Sequence, residues 1–260
     1  MTKRLAFLDC AVSISHGNLS ENDYGRRTIV PLARRHGVEL TRTHLLDEPG
    51  VRKLKQEALR AGAAVINGSM LSPVPSCDHF DGIPTGATVL EFIEFCAKNN
   101  LALFGICYGF QMIGRVVGEN VVRLSQSQFG FEKIRLTEEG SRHPLFLGVP
   151  QEHMAIKHHM FAVVSSRHVT PLATSEHCIE ALQIPGTRIL GVQFHPDYHD
   201  QDLELGRADL GWAYNGTREF VDMWIGEAEA RRRIAHATPA DYEKNLSPLL
   251  NFFSMLEDRK

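Results

Sequence analysis

The sequence predicts an α/β fold on a mixed, mostly parallel sheet, and three observations lead there. Through the first part of the chain, short apolar runs alternate with helical patterns, so a β-α unit repeats. Those runs are apolar almost throughout, as strands covered on both faces must be. The residues able to do chemistry fall just past the carboxyl ends of the runs, where parallel sheets place their functional groups.

Leu5–Leu8 reads as the first strand, and Tyr24–His36 has a helical rhythm closed by Gly37. Val38–Leu40 leads a second strand, and Val51–Ala61 a helix ended by Gly62. Ala63–Ile66 is a third strand, and Ala87–Lys98 a helix before the strand Leu101–Phe104. From about residue 120 the spacing tightens. Val121–Leu124, Phe129–Leu136, Met154–Ile156, Ala162–Val164, Ile179–Ile184 and Ile189–Phe194 follow closely, several with turn residues between them. This half is expected to add antiparallel strands and carry His195 back toward Cys107.

The composition suits an enzyme of one large domain, residues 1–260, with 43% hydrophobic residues in 260. No apolar run approaches the ~20 residues that cross a bilayer. Met1-Thr2-Lys3-Arg4 runs directly into a strand with no apolar leader, so a cytoplasmic location is expected and no membrane association. The five cysteines, at 10, 77, 96, 107 and 178, are odd in number, scattered and without a C-x-x-C, which fits free thiols in a reducing compartment. A formal charge of −3 gives no reason to expect nucleic acid as a partner.

Gly105-Ile106-Cys107-Tyr108-Gly109 closes one apolar run and opens the helical segment Phe110-Gln111-Met112-Ile113-Gly114. A strand that ends in G-x-C-x-G and turns into a helix is the cysteine form of the nucleophile elbow. Its small flanking residues permit a cramped turn that thrusts the nucleophile out of the sheet. The helix N-terminus behind Cys107 favours thiolate over thiol. Downstream, Gly191-Val192-Gln193-Phe194-His195-Pro196-Asp197 puts a base at another strand end, with an acid two residues later. Cysteine, histidine and carboxylate in that order are the parts of a nucleophilic triad.

These segments resemble class I (triad-type) glutamine amidotransferase domains. That family's elbow reads G-x-C-x-G-x-Q, and Gly105 to Gln111 read G-I-C-Y-G-F-Q. Its histidine motif reads G-V-Q-F-H-P-E, matched from Gly191 to Pro196 before Asp197 replaces the glutamate. Phe7-Leu8-Asp9 resembles the family's first strand, and Asn67-Gly68-Ser69 its oxyanion loop. Phe129-Gly130-Phe131 and Lys157-His158-His159-Met160 echo weaker segments. The resemblance covers about residues 1–200 and a terminal helix, and implies a flavodoxin-like three-layer α/β/α fold. In that family a short helix follows the histidine motif. Ser247, as N-cap, and Pro248, as first helical residue, place it at Pro248–Phe253. Residues 198–246 would then be a helical insertion. It holds both tryptophans, Trp212 and Trp224, and an apolar stripe of Phe220, Val221, Trp224, Ile225 and Ala228. The stripe either packs on the main domain or serves as a partner surface or lid.

The resemblance implies that Cys107 attacks the side-chain amide of L-glutamine while His195 moves the proton. Backbone N–H groups of Tyr108 and Gly68 would hold the oxyanion. Gln111 and the backbone near His159 and Met160 would help hold the substrate's amino-acid end. No cofactor or metal is expected. Asp197 is one methylene shorter than the family's glutamate, and either it orients His195 or the role passes to Asp200 or to water.

Two other cysteine-elbow folds fit less well. Cys-type α/β-hydrolases place the acid before the histidine, and another group has histidine directly after the cysteine, where Tyr108 stands. A metal set of His195, Asp197, His199 and Asp200 is chemically conceivable, but the amidotransferase motif accounts for those residues better. Three functions remain open. The first is a glutaminase subunit giving ammonia to a separate synthase. The second is a stand-alone hydrolase of γ-glutamyl amides, and the third a non-catalytic binding or regulatory subunit.

Overall fold

The computed structural model describes residues 2–15, 18–21, 24–80, 82–198 and 226–259. Their strands are β1 (Thr2–Asp9), β2 (Val12–Ser15), β3 (Asn18–Glu21), β4 (Val38–His44), β5 (Ala63–Ile66), β6 (Ala102–Ile106), β7 (Val121–Leu136), β8 (Glu152–Val163), β9 (Thr170–Thr174), β10 (Ile179–Gln183), β11 (Ile189–Val192) and β12 (Asp258–Arg259). The helices are α1 (Tyr24–Arg27), α2 (Ile29–Arg35), α3 (Glu48–Ala61), α4 (Thr85–Lys98), α5 (Tyr108–Val116), α6 (Glu138–Arg142), α7 (Glu227–Ile234) and α8 (Pro239–Met255).

All strands but β2 and β3 join one ten-stranded mixed sheet. Its parallel half runs β4-β1-β5-β6-β11, the flavodoxin-like order expected for this α/β class. Beyond β11 the sheet continues antiparallel through β10, β9, β7 and β8. Along β1, Leu5 and Phe7 face a core with Ile29, Leu32, Leu249, Phe252 and Phe253. Ala6 and Leu8 face the other core, with Val51, Leu54, Ala58, Phe92 and Ile93. Side chains alternate across a strand, so α2 and α8 cover one face, α3, α4 and α5 the other, and three layers result.

The sequence expectation needs correction at several elements. The helix expected over Tyr24–His36 is two helices that break at Thr28. Pro31 has no N–H to offer the Arg27 carbonyl, and the Tyr24 carbonyl takes both the N–H and the hydroxyl of Thr28, each at 3.0 Å. The β2–β3 hairpin was not anticipated. Val121–Leu124 and Phe129–Leu136 are one strand, β7, whose register with β8 shifts between Arg123 and Gln128. Met154–Ile156 and Ala162–Val164 likewise merge into β8.

The terminal helix starts at Pro239 rather than Pro248. Its N-cap is Thr238, whose hydroxyl accepts from Asp241 N while the Asp241 side chain accepts from Thr238 N, a complete capping box. Pro248 lies inside α8, so Ser247 caps nothing and the segment ahead of the helix is shorter than 198–246. The expected stripe residues Phe220, Val221, Trp224 and Ile225, with Trp212, lie outside the described residues, and Ala228 is exposed on α7.

Candidate active site

Between β6 and α5, Cys107 adopts φ +50° and ψ −100°. Only Cys107 and Asn100 among the described non-glycine residues have positive φ, a conformation that costs of order 1–3 kcal/mol and that the surroundings must impose. The flanking glycines make the turn possible. A Cβ on Gly105 would sit 2.6 Å from Ile113 Cδ1 and 2.7 Å from the Gly109 carbonyl carbon. A Cβ on Gly109 would sit 2.6 Å from the Ile66 carbonyl oxygen. Strand, turn and helix are thus packed to backbone contact. The Cys107 thiol is 3.7 Å from the His158 carbonyl oxygen, and the residue is 5% exposed.

His195 follows β11, and its backbone is tied on both sides. Its N–H donates to the Ile156 carbonyl at 2.8 Å, and its carbonyl accepts from Asn245 Nδ2 at 2.8 Å. A turn from His195 to Tyr198, closed by Tyr198 N on the His195 carbonyl at 3.3 Å, swings Asp197 back beneath the ring. Asp197 Oδ1 lies 3.2 Å from His195 Nδ1 despite the shorter side chain. The Tyr24 hydroxyl lies 3.1 Å from the same Nδ1 and donates to Asp197 Oδ2. Tyr198 stacks on the imidazole, centroids 4.6 Å apart and planes 12° from parallel. Burial disfavours a charged His195, but the negative charge of Cys107 and the hydrogen bond His195 donates to Asp197 outweigh it and push the imidazole up to about 10. His195 Nε2 has no hydrogen-bond partner among the described residues, so Cys107 acts on the ring chiefly by charge across space.

Gly68 lies against this pair. A Cβ there would be 2.8 Å from His195 Cε1 and 3.5 Å from Cys107 Cβ, so only glycine lets the loop approach. Asn67 holds the loop in place, donating to Asp9 Oδ1 at 2.7 Å and accepting from Cys10 N at 2.6 Å. Arg42 in turn grips Asp9 Oδ2 at 2.6 Å. Tyr108 keeps its ring buried in the core, with Cys10, Asp78 and Arg115 near its hydroxyl; its backbone N–H opens α5, where helix N–H groups lack intrahelical acceptors.

The residues expected to hold the substrate's amino-acid end are Gln111 and the backbone near His159 and Met160. Gln111 is buried, and its amide nitrogen donates to the Phe161 carbonyl at 2.7 Å and Gln193 Oε1 at 3.2 Å. Met160 packs, partly buried, against the cluster that holds Tyr24, Phe129, Tyr198 and Tyr242. The His159 ring is not brought to Cys107. It turns toward Cys178 and Glu180, because its neighbour His158 takes the face toward His195, with ring centroids 5.6 Å apart. His159, Cys178 and Glu180 are close enough together to hold a metal ion, but Lys157 Nζ already pairs with Glu180 Oε1 at 2.6 Å. His199 and Asp200, from the other conceivable metal set, lie outside the described residues.

Sequence reasoning gave no role to Tyr24, His158, Tyr198 or Asn245. His158 lies within a quoted segment and Tyr198 directly follows one, so both could have been found by position alone. Tyr24 and Asn245 come from distant elements, and only the fold brings them in.

A profile of the family described as glutamine amidotransferase class-I matches residues 51–204, more than half of the chain. The chain belongs to the class I glutamine amidotransferase family. Among curated relatives, a glutamine-hydrolysing GMP synthase of Borreliella burgdorferi is 28% identical over 60% of this chain and 31% of its own length. One subunit of a glutamine-hydrolysing GMP synthase of Methanococcus maripaludis is 35% identical over 44% of this chain and 58% of its own length. The match thus spans from under a third to under two thirds of these relatives. Of solved structures, a Thermotoga maritima glutamine amidotransferase superposes with TM-score 0.68 at 15% identity, over 98% of this chain and 97% of its own. A Methylobacillus flagellatus glutamine amidotransferase gives 0.60 at 16%, over 100% and 97%. At such identities the structural likeness speaks for the fold. No helix of the described residues is long and apolar enough to cross a membrane.

Proposed function

We propose that this amidotransferase domain is a glutaminase subunit that hydrolyses the side-chain amide of L-glutamine and supplies ammonia to a separate synthase. The observation that carries the proposal is the positive-φ elbow at Cys107 with His195 and the Gly68 backbone beside it. Cys107 Sγ, as thiolate, attacks the amide carbon, and the carbonyl oxygen takes up negative charge. Backbone N–H groups of Tyr108 and Gly68 hold that oxyanion; losing one such donor typically costs on the order of 10²–10³ in rate. Protonated His195 gives its Nε2 proton to the departing nitrogen, so ammonia leaves and a γ-glutamyl thioester remains on Cys107. His195, now neutral, takes a proton from water, which attacks the thioester. Glutamate departs and the thiolate–imidazolium pair is restored. Asp197 orients the ring and balances its charge. The Methanococcus relative, named as one subunit of its synthase, supports a two-chain arrangement.

The test compares leaving groups. Purified protein is expected to release ammonia from L-glutamine, slowly alone and faster with its synthase partner, and to form a γ-glutamyl adduct on Cys107 visible by mass spectrometry. Cys107→Ala should abolish both. Much faster cleavage of γ-glutamyl alkyl- or arylamides would replace this reading with that of a stand-alone amide hydrolase. Cleavage of neither, together with tight binding of another protein, would make the chain a non-catalytic subunit.

A further inference from the structure

We propose that Tyr24 is a positioning residue for His195, its hydroxyl bridging the imidazole and the Asp197 carboxylate so that an aspartate can serve where the family's motif has glutamate. The proposal rests on reading His195 as the base of amide hydrolysis.

The bond from His195 Nδ1 to Asp197 Oδ1 is 3.2 Å, longer than the ≈ 2.7–2.9 Å of a well-made charge-assisted pair. Taken alone it would orient the ring weakly. The Tyr24 hydroxyl fills the gap, 3.1 Å from Nδ1 and bonded to Asp197 Oδ2. An ionised carboxylate only accepts, so the single hydroxyl proton goes to Asp197, and the phenol oxygen turns a lone pair toward the imidazole. Nδ1 therefore carries a proton shared between the two oxygens, which leaves Nε2 as the nitrogen that exchanges protons at the Cys107 side.

The local structure holds Tyr24 at this spot. Tyr24 opens α1, and Gly25 behind it touches the strand ends so closely that a Cβ would lie 2.6 Å from Asp9 Oδ2 and Phe7 Cζ and 2.8 Å from Asn67 Nδ2. Any larger residue at 25 would lift α1 and its tyrosine away from the site. The Tyr24 ring stands edge-on to Tyr198 at 5.5 Å and 88°, and Tyr198 stacks on His195, so two tyrosines frame the imidazole.

Among the described residues, the titratable groups facing His195 are Cys107 from the elbow, Asp197 and Tyr198 from its own turn, Tyr24 from α1 and His158 from β8, with His159 farther off. His158 and His159 are both held toward neutrality by burial first; the positive charge of His195 adds to this at both, and Glu180 opposes it at His159. The groups that raise the His195 pKa are thus Cys107 and Asp197.

Tyr24→Phe keeps the ring and deletes the bridge. The His195 ring is titrated by NMR in wild type and variant, and kcat and KM for L-glutamine are followed against pH. We expect the His195 pKa to fall by about one unit, the equivalent of one hydrogen bond to a charged group. The alkaline limb of kcat should move down with it, kcat should drop about tenfold, and KM should hold. An unchanged His195 titration would overturn the proposal, as would a loss confined to KM. The titration needs no substrate. A shifted pKa in a protein that hydrolyses no amide would therefore uphold the role of Tyr24 while refuting the proposed function.

Discussion

Asn245 in α8 joins His195 to Ile156: its side-chain nitrogen donates to the His195 carbonyl at 2.8 Å, and its oxygen accepts from Ile156 N at 2.9 Å. The asparagine is buried, so water does not substitute for either bond. The terminal helix thus fixes the backbone that carries His195.

Asn245→Ala should take this partner from the Ile156 N–H and leave the His195 carbonyl with only the 3.3 Å bond from Tyr198 N, a loss of roughly 1–3 kcal/mol. The larger effect should be on rate. With His195 less firmly placed, glutaminase kcat is expected to fall several-fold while the protein still unfolds cooperatively. Denaturant melts and steady-state kinetics on the same preparation check both parts; a stability loss with wild-type kcat would mean that α8 does not position the base.

The central strands of the sheet's parallel half were legible because each is a short apolar run bounded by glycine or helix, as at Ala63–Ile66 and Leu101–Phe104, whereas edge strand β4 is largely polar. The elbow was legible because crowding at Gly105 and Gly109 admits no side chain, so sequence carries the geometry directly. Helix ends with mixed signals were not. Ser247-Pro248 has the look of a helix start, yet the capping box at Thr238 and Asp241 starts the helix nine residues earlier, and Pro248 is absorbed within it. The reach of Asp197 was undecidable from side-chain length, because the turn through Tyr198 sets where its carboxylate falls. Tyr24 and Asn245 were invisible for a different reason. Neither belongs to a local pattern, and what they touch is chosen by the packing of α1 and α8 on the sheet.

His195→Ala and Asp197→Asn should differ in size. Removing the imidazole deletes proton transfer and should lower kcat on the order of 10²–10⁴-fold. Asp197→Asn keeps the base, and the Tyr24 hydroxyl still reaches Nδ1, so its loss should be smaller. Parallel kinetics on the two variants decide this; equal losses would mean that the carboxylate is indispensable to the base and not only an orienting group.

The pH dependence of stability should have two flanks. Burial lowers His153 and His159 to about 4 and His158 well below its ordinary value. The unfolded chain, whose histidines titrate near 6.5, therefore binds protons that the folded protein refuses. Stability must fall as pH drops from about 6.5 through 4. His195 acts in the opposite sense. Its folded pKa is raised to about 10, so its contribution is complete below 6.5 and disappears as pH rises through 10. Urea midpoints measured from pH 4 to 10 should peak near neutrality, and His159→Asn should flatten the acid flank. A midpoint that stays level between pH 6.5 and 4 would contradict the assignment.

Lys157 and Glu180 form an ion pair at 2.6 Å with both side chains at 0% exposure, bridging β8 to β10 inside the antiparallel half. Burial alone would raise the Glu180 carboxyl, but the Lys157 ammonium, helped by His159, holds it below its ordinary value. Lys157 is likewise penalised by burial and held charged by Glu180, with Glu132 adding attraction at 3.4 Å. Two charges taken out of water repay their desolvation only while both are present. Lys157→Met should therefore cost about 3–5 kcal/mol by leaving Glu180 uncompensated, whereas Lys157→Met with Glu180→Leu should recover most of that loss. Lys157 lies between Ile156, which bonds His195 N, and His158, whose carbonyl faces the Cys107 thiol. The single variant should then lose activity as well as stability, and the double variant should regain both. A double variant as unstable as the single one would mean that the pair's geometry, rather than its charge balance, holds β8 against the site.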